Sequence, residues 1–333
     1  MNYDLVGIGN ALVDIEVKVE DHFIEKLSLT KGGMTLSSLE DQKNILDAVS
    51  GKSSKVVSGG SAANTVHGLA SLGGKAYYLG RVADDQYGKH YTEDMKECGV
   101  GFPGTDAQTS GTGTCVILVT PDSERTMLTH LGISSQLHPD NVDDTIVRGA
   151  KAVYIEGYLW TGDDTRESAL KLAETARTSG IPVAFTLSDA FIVNTYKEAL
   201  LDFIRWKVDI LFCNEVEALA LAETKNPGHA FDTLQGLAET VFMTRGKEGS
   251  WAGRSGQPKV EINPFPVTAV DTTGAGDLYA AGALYGMTHG HDLKEAGILG
   301  SYCSAQVVTH MGGRMPSHSH TRVDTILTRY AEL

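Results

Sequence analysis

The sequence predicts an α/β fold with a mostly parallel central sheet that carries helices on both faces. Two observations lead to this prediction: short runs rich in Val, Ile, Tyr and Phe recur along the chain, and amphipathic stretches lie between them. Helices that alternate with strands form right-handed crossovers between parallel strands. Because no repeat, low-complexity tract or long linker interrupts the chain, we expect a single domain over residues 1–333.

The predicted strands and helices follow one another in a regular order. The strand candidates are brief and rich in β-branched or aromatic residues: YDLVGIG (3–9), KVVSG (55–59), AYYLG (76–80), TCVILVT (114–120), AVYIEG (152–157), PVAFTL (182–187), DILFCN (209–214) and TVFMT (240–244). The amphipathic stretches that predict helices between them include 163–178, 195–206, 215–223 and 293–310.

Two regions depart from this alternation, at residues 11–40 and roughly 99–130. Both contain extended segments joined by Gly and Pro turns, without a strong helical pattern between them. Such segments could pair as a small β-layer beside the main sheet and form a lid over a site. Ordinary surface hairpins would account for the same residues, and the local pattern does not distinguish the two.

The charge and cysteine patterns exclude several classes of function. The net charge of −14 opposes phosphate backbones and anionic lipids, so we expect neither nucleic acid nor a membrane surface as a partner. The four cysteines are widely spaced, which predicts reduced thiols of a cytoplasmic protein rather than a zinc site. The N-terminal residues do not resemble a signal peptide, and no uncharged apolar stretch reaches about 18 residues.

A glycine pair interrupts the segment VVSGGSAANTVHGLASLGG (56–74). A predicted strand ends at Gly59 and Gly60, and the residues after Ser61 have helical spacing. Paired glycines allow a ligand to approach the backbone, and Asn64, one turn into the helix, could present a donor and an acceptor to hydroxyl groups. A tight strand-to-helix turn without a binding role would explain the same pattern.

The segment DTTGAGDLYAAG (271–282) predicts an anion site at the start of a helix that runs over about 277–289. Gly274, Ala275 and Gly276 would expose successive backbone N–H groups there, and the helix macrodipole adds about half a positive charge. The carboxylate of Asp277 could take a proton from an attacking hydroxyl while the amides stabilise a transferred phosphoryl group. It could equally complement its own helix, as first-turn aspartates commonly do.

Two further groups could contact a nucleotide. Asn214 and Glu217, in NEVE, follow a predicted strand and could order water around a magnesium ion, although a helix-capping pair would have the same residues. TRGKEG (244–249) also follows a strand and could run beside a polyphosphate, or form a basic turn. Arg125 is a lone cation in the second irregular region, and taken by itself it indicates a surface residue.

Taken together, these segments resemble a known family. GGSAANTVHGLASLGG (59–74) and DTTGAGDLYAAG (271–282) resemble the two signature regions of the PfkB (ribokinase-like) family of carbohydrate and nucleoside kinases, and NEVE resembles that family's Asn-x-x-Glu motif. The similarity covers nearly the whole chain. It implies a ribokinase-like three-layer α/β/α fold in which the two irregular regions form a small β-lid, with ATP as co-substrate and Mg²⁺ as cofactor.

The resemblance also implies a role for each matching residue. Asp277 would be the catalytic base, and Glu217 would hold Mg²⁺ through water. The resemblance allows a monovalent cation, K⁺, near Asp271 and Thr273. The other expected site residues are the anion hole of Gly274, Ala275 and Gly276; the substrate-binding residues Asn10, Leu12, Asp14, Gly59, Gly60, Ser61, Asn64 and Tyr158; and the ATP-binding residues Arg125, Asn214, Thr244, Gly246 and Gly249.

Within the family, GNALVDI (9–15), RTMLTHLG (125–132) and TLSDAFIV (186–193) are most similar to the adenosine kinase branch. This implies ATP-dependent phosphorylation of the 5′-hydroxyl of adenosine to give AMP and ADP. One departure is Asp189-Ala190, where many members have another residue and a proline. A ribose- or fructose-type sugar kinase, a kinase of another nucleoside, and a non-catalytic nucleoside-binding protein remain alternatives, and the chain could be a monomer or a homodimer.

Overall fold

The structure is a computed structural model that describes residues 2–106, 110–315 and 322–333. In chain order, its strands are β1 (Leu5–Ile8), β2 (Leu12–Lys18), β3 (Met34–Leu36), β4 (Ser54–Ser58), β5 (Ala76–Leu79), β6 (Val82–Ala83), β7 (Thr105–Asp106), β8 (Gly113–Val119), β9 (Arg125–His130), β10 (Val153–Glu156), β11 (Val183–Thr186), β12 (Ile210–Asn214), β13 (Thr240–Thr244), β14 (Ser250–Arg254) and β15 (Val260–Ile262). The helices are α1 (Asp21–Lys26), α2 (Leu39–Ala48), α3 (Ser61–Ser71), α4 (Gln86–Glu97), α5 (Asp144–Arg148), α6 (Asp163–Thr178), α7 (Ala190–Lys207), α8 (Glu215–Ala222), α9 (Pro227–Gln235), α10 (Ala275–Thr288), α11 (Leu293–Val307) and α12 (Val323–Ala331).

The central sheet has the order β15-β14-β13-β12-β11-β10-β1-β5 in the part of the chain that the structure describes. The strands from β5 to β13 are parallel, and β14 and β15 add an antiparallel edge. One hydrophobic core lies between this sheet and α3, α10 and α11, and a second lies between its other face and α6 to α9. The predicted mostly parallel sheet with helices on both faces is therefore confirmed.

A second sheet faces the first, with the order β3-β9-β8-β2-β4 among the described residues. The irregular regions 11–40 and 99–130 supply β2, β3, β8 and β9, although residues 107–109 of the second region lie outside the described chain. The first region is not wholly extended, because α1 lies between β2 and β3. These two regions thus form one β-layer rather than separate hairpins.

The strand KVVSG, expected within the strand–helix alternation, lies instead in the second sheet as β4. It pairs antiparallel with β2, for example Asp14 opposite Val57. Ser54, Lys55 and Val56 are exposed, whereas a strand in a parallel central sheet is buried on both faces. The polar start of this segment therefore suits an edge strand.

Most helix bounds lie within a few residues of the sequence prediction, and the start of α7 differs most. α6 has the predicted bounds, α8 ends one residue early, and α11 ends at Val307 rather than at 310. α7 begins at Ala190 instead of 195 because the Asp189 side chain caps it, accepting a hydrogen bond from Phe191 N at 2.7 Å. The helix is kinked at Tyr196, whose φ of −118° is not helical.

No helix among the described residues combines the length and the apolar composition needed to cross a membrane. The four cysteines, all within those residues, are unpaired thiols.

Candidate active site

Polar residues collect at one edge of the central sheet. The parallel strands β1, β10, β11, β12 and β13 all end there, and Asn10, Glu156, Ser188, Asn214 and Thr244 stand at or just after those ends. Ligands of open α/β sheets bind at the carboxyl ends of the strands, since the helix N-termini and loops converge there. The second sheet covers part of this edge.

A first cavity lies between this edge and the second sheet. It encloses about 720 Å³ counted to its open mouth. It is lined by most of the residues expected to bind substrate, together with the expected base: Asn10, Leu12, Asp14, Gly60, Ser61, Asn64, Tyr158 and Asp277. Its apolar wall comes largely from the second sheet, through Met34, Leu36, Ile117 and Met127.

Gly59, the remaining residue of the expected substrate group, does not line the cavity but makes room for Asp14. A Cβ atom at Gly59 would overlap the Asp14 carboxylate, which is why glycine is required at the turn. Gly60 has a φ of 92°, and a Cβ there would overlap the Asn10 carbonyl oxygen. The glycine pair therefore allows β4, the start of α3 and the β1–β2 turn to meet closely.

The first turn of α3 holds the carboxylate of Asp277. Ser61 Oγ donates to Asp277 Oδ1 at 2.7 Å, and Asn64 Nδ2 donates to Oδ2 at 3.0 Å. Thr65 Oγ1 donates to the Asp277 backbone oxygen at 3.1 Å. These three bonds join the N-terminal ends of α3 and α10, so the carboxylate has a defined orientation at the cavity.

The turn before Asp277 separates the first cavity from a second one. Asp277 lines the first cavity, whereas Ala275 and Gly276 line the second, which encloses about 1170 Å³ counted to its open mouth. Among the residues expected to bind ATP, Thr244, Gly246 and Gly249 line this second cavity. An acceptor in one cavity and a phosphate in the other would meet at the start of α10.

The backbone amides of this turn differ in their availability. The Ala275 amide donates to Thr272 O at 3.2 Å, whereas the amides of Gly274, Gly276 and Asp277 have no backbone acceptor among the described residues. Gly274 is the N-cap of α10 and has a φ of 74°, with no side chain to cap the helix. Unpaired amides at a helix N-terminus, together with the helix macrodipole, are features that favour a bound anion.

The other residues expected to bind the nucleotide or its metal ion, Arg125, Asn214 and Glu217, do not line the second cavity. Arg125, on β9, lines the first cavity with Asp14 and Asp277. Asn214 and Glu217 form a reciprocal helix cap: Asn214 Oδ1 accepts from Glu217 N at 2.8 Å, and Glu217 Oε2 accepts from Asn214 N at 3.0 Å. The capping interpretation left open by the sequence is thus observed.

Burial shifts the ionisation of the carboxyl groups at the first cavity. It raises the pKa of Asp277, against the hydrogen bonds from Ser61 and Asn64 and the nearby Arg125 guanidinium. Burial and the Glu16 carboxyl raise the pKa of Asp14 to about 8, and burial raises the pKa of Glu156 to about 7. A base with a raised pKa holds an abstracted proton more readily.

The residues that could hold metal ions are oxygen donors. Asp271 is fully buried, and its carboxylate accepts hydrogen bonds from Thr273 N at 2.9 Å, Thr273 Oγ1 at 2.7 Å and Gly312 N at 2.9 Å. Glu16, which interacts electrostatically with Asp271, has two buried oxygens without a hydrogen-bond partner in the described chain. Within that part of the chain, no cluster of three or more His, Cys, Asp or Glu residues could bind a metal.

Sequence reasoning missed several residues of the first cavity. Glu156 lines it at the end of β10, and Ser188 lines it beside Tyr158, whose hydroxyl donates to Ser188 O at 3.3 Å. An acid that ends a buried strand, as in AVYIEG, was the available signal for Glu156. Asp189, the departure from the family pattern, is a helix cap and does not line the cavity.

A family model described as pfkB family carbohydrate kinase matches residues 26–320 of this chain. The chain is similar to the structure of adenosine kinase from Sinorhizobium meliloti, with 37% identity and a TM-score of 0.93 over 99% of each chain. It is also similar to the probable sugar kinase from Rhizobium etli CFN 42, with 35% identity and a TM-score of 0.94 over 100% of this chain and 99% of that one. Adenosine kinase from Saccharomyces cerevisiae is 28% identical over 95% of this chain and 98% of its own. These similarities confirm the predicted three-layer fold.

Proposed function

The chain belongs to the PfkB family of carbohydrate kinases and is a phosphotransferase with an alcohol acceptor, and we propose that it transfers the γ-phosphoryl group of ATP to the 5′-hydroxyl of adenosine. The products would be AMP and ADP. The observation that supports this most is the turn 274–276, which separates two cavities and exposes unpaired amides beside the carboxylate of Asp277. The acceptor would occupy the first cavity and ATP the second.

In the proposed mechanism, Asp277 accepts the proton of the 5′-hydroxyl as its oxygen attacks the γ-phosphorus in line. The bond from that phosphorus to the β–γ bridging oxygen breaks, and ADP leaves. The amides of Gly274 and Gly276 stabilise the negative charge on the transferred group, and Arg125 approaches it from the acceptor side. Ser61 and Asn64 orient the base, so the reacting groups lose less freedom on reaching the transition state.

Cations complete the proposal. Glu217 is buried in the first turn of α8, and each of its carboxylate oxygens accepts one hydrogen bond from Asn214 and keeps a second lone pair. It could therefore hold Mg²⁺ through water, because that ion prefers oxygen ligands. When bound, Mg²⁺ would neutralise charge on the ATP phosphates. The buried oxygens of Asp271 and Glu16 and the loop around Gly312 suit a monovalent cation such as K⁺, with Thr273 beside it.

Adenosine is favoured over a free sugar by the first cavity's shape and by one relative. The apolar side chains of Leu12, Met34 and Leu36 and the ring of Tyr158 provide a surface for a purine, which a pentose alone would not cover. The Sinorhizobium meliloti relative is an adenosine kinase. A sugar acceptor is the second candidate, since the Rhizobium etli relative is described as a probable sugar kinase.

We further propose that the protein acts in the cytoplasm on small molecules only, as a monomer or a homodimer. The net charge of −14 disfavours nucleic acid and anionic membranes as partners.

A substrate panel tests the proposal. ADP production is measured with adenosine, inosine, ribose and fructose, each with ATP and Mg²⁺, and binding of each acceptor is measured by calorimetry. We expect adenosine to give the highest kcat/KM by at least tenfold. Equal use of ribose or fructose would contradict the nucleoside assignment, and adenosine binding without ADP production would indicate a non-catalytic binding protein.

A further inference from the structure

Glu156 occupies a central position that the proposed mechanism does not use. It ends β10, is 1% exposed and lines the first cavity. Its Oε1 accepts from Asn10 N at 2.8 Å and from Asn10 Nδ2 at 3.1 Å, and its Oε2 accepts from Ala62 N at 2.7 Å. A buried carboxylate persists only where donors compensate its lost hydration, and here three N–H groups do so. Glu156 thus connects three segments of the site.

One of these segments is the start of α3. The N-cap of α3 is Gly60, which has no side chain to accept from the first amides of the helix. Glu156, at the end of β10, supplies that acceptor for the Ala62 N–H. Its negative charge lies at the N-terminal end of α3, where the helix macrodipole favours it. The first turn of α3 carries Ser61 and Asn64, which hold Asp277. Glu156 therefore supports the base through this helix.

The second segment is the turn between β1 and β2, where Glu156 determines the orientation of the Asn10 side-chain amide. Glu156 Oε1 also accepts from the Asn10 backbone N–H, so this oxygen acts as an acceptor and faces the NH₂ group of the Asn10 side chain. The opposite atom, Asn10 Oδ1, then faces away from Glu156. Asn10 is 2% exposed and lines the first cavity, and its Oδ1 is buried without a hydrogen-bond partner. An unpaired buried acceptor is costly unless a ligand supplies a donor.

Glycine at position 9 preserves this arrangement. A Cβ atom at Gly9 would overlap Glu156 Oε2 and would lie 2.8 Å from the Ala62 Cβ. The turn between β1 and β2 therefore comes close enough for Asn10 to reach the carboxylate with both its backbone N–H and its side chain.

We propose that Glu156 is a positioning residue that orients the Asn10 amide so that its oxygen accepts a hydrogen bond from a hydroxyl group of the acceptor's sugar. The site would then require a donor at that position and would discriminate against an acceptor that lacks the hydroxyl. This inference rests on the proposed function, because it takes a ribose-bearing acceptor in the first cavity as its ligand.

The variant Glu156→Leu tests the orientation. Leucine is similar in size but neither accepts nor donates a hydrogen bond, so the Asn10 side chain loses the acceptor that fixes its NH₂ group. The Asn10 amide can then turn either its oxygen or its NH₂ group toward the cavity. We expect the adenosine KM and the adenosine Kd from calorimetry to rise about 10- to 100-fold, while the ATP KM stays within about twofold of wild type.

Deoxynucleosides provide a readout that a merely structural role would not change. 2′-Deoxyadenosine and 3′-deoxyadenosine are compared with adenosine on the wild type and on Glu156→Leu. We expect one of the two analogues to bind the wild type at least tenfold more weakly than adenosine, and to lose that penalty in the variant. Such non-additivity indicates that Glu156 and the hydroxyl act through one interaction. Equal, additive losses for all three nucleosides would overturn the proposal.

Two further variants serve as a control and as an independent test of the Asn10 amide. Asp4→Asn changes an acid at the opposite end of β1 that accepts a hydrogen bond from Lys75 N at 2.7 Å, and it should leave the hydroxyl preference at the wild-type value. Asn10→Leu keeps the Glu156 bonds to the backbone N–H of position 10 and to Ala62, so it tests the amide even if Glu156→Leu does not fold. Asn10→Leu should abolish the same hydroxyl preference, and retention of the preference would contradict the proposal.

The failure of this inference is distinguishable from the failure of the proposed function. If the substrate panel identifies another acceptor, the same comparison is made with that acceptor and its deoxy counterparts. Loss of the hydroxyl preference in Glu156→Leu would still support the role of Glu156, and additive losses would still overturn it.

Discussion

At the scale of single residues, the site depends on how one carboxylate is held. Asp277 belongs to the first turn of α10, yet its oxygens are bonded to Ser61 and Asn64 of another helix rather than to its own amides. Gly274 is the N-cap of α10, so Asp277 does not cap its own helix, and only its charge complements the helix N-terminus. The carboxylate is left oriented toward the first cavity, which is what a general base requires.

The variant Asp277→Asn should retain adenosine binding and lose turnover. Asparagine keeps the size of the side chain but does not accept a proton, so we expect kcat to fall by about 10²- to 10⁴-fold while the adenosine Kd changes by only a few-fold. Steady-state kinetics and calorimetry measure the two quantities. Asp324→Asn, which removes an exposed first-turn acid of α12, is the matched control and should have wild-type kcat. A kcat for Asp277→Asn within a few-fold of wild type would exclude the base role.

At the scale of elements, the anion site depends on how closely α10 approaches a loop. Gly274 has a φ of 74°, and a Cβ atom there would lie 2.7 Å from the Cα atom of Gly313. Arg314, the next residue of that loop, contacts Asn64 Oδ1 through its Nε at 3.3 Å. The start of α10, the start of α3 and this loop are thus mutually packed, so a side chain at Gly274 would displace all three.

Gly274→Ala should therefore inactivate the protein, whereas Gly290→Ala should not. Both glycines have a positive φ, of 74° and 83°, so alanine adds about 1–2 kcal/mol of backbone strain at either position. Only at Gly274 would the Cβ also meet another backbone, because it meets nothing within 4 Å at Gly290. We expect Gly274→Ala to lower kcat/KM at least 100-fold and to lower Tm more than Gly290→Ala does. Similar activities for the two variants would contradict this account of the turn.

At the scale of the whole molecule, several buried carboxyl groups surround the site. Burial raises the pKa of Asp14 to about 8 and the pKa values of Glu16, Glu156 and Glu217 to about 7. A carboxyl with a raised pKa in the folded state contributes stability that is fully present below its unfolded pKa, near 4, and is lost as pH rises through the folded pKa. We therefore expect the ligand-free protein to lose stability as pH rises from about 5 to about 8.

Asp14→Asn should remove part of this pH dependence. The amide cannot ionise, so the variant avoids the cost of a buried charge, which is about 1.4 kcal/mol for each pKa unit. We expect the Tm of the ligand-free variant to exceed that of the wild type by about 3–6 °C at pH 8.5, and to differ little at pH 5. Differential scanning calorimetry at both values measures this, with the exposed Asp324→Asn as the control. An equal gain at both pH values would show that charge burial is not the cause.

Local sequence patterns determined the secondary structure of this protein and the residues at the start of α10. The alternation of buried strands with amphipathic helices predicted the parallel sheet, because a period of two or of 3.6 residues is encoded within each segment. DTTGAGDLYAAG predicted the exposed amides and the acid beside them, since glycines and a helix start are local features. The family resemblance rested on the same segments, which explains why the fold and the kinase class followed from the sequence.

Only the tertiary structure decided which distant residues share a cavity. β4 joined the second sheet, Arg125 came to the acceptor side rather than the second cavity, and Glu156 reached both Asn10 and Ala62. These contacts join segments that are 94 and 146 residues apart for Glu156, and no local periodicity encodes such distances. Strand order and the pairing of buried polar groups depend on how whole layers pack, and therefore the site's specificity could be read only from the folded chain.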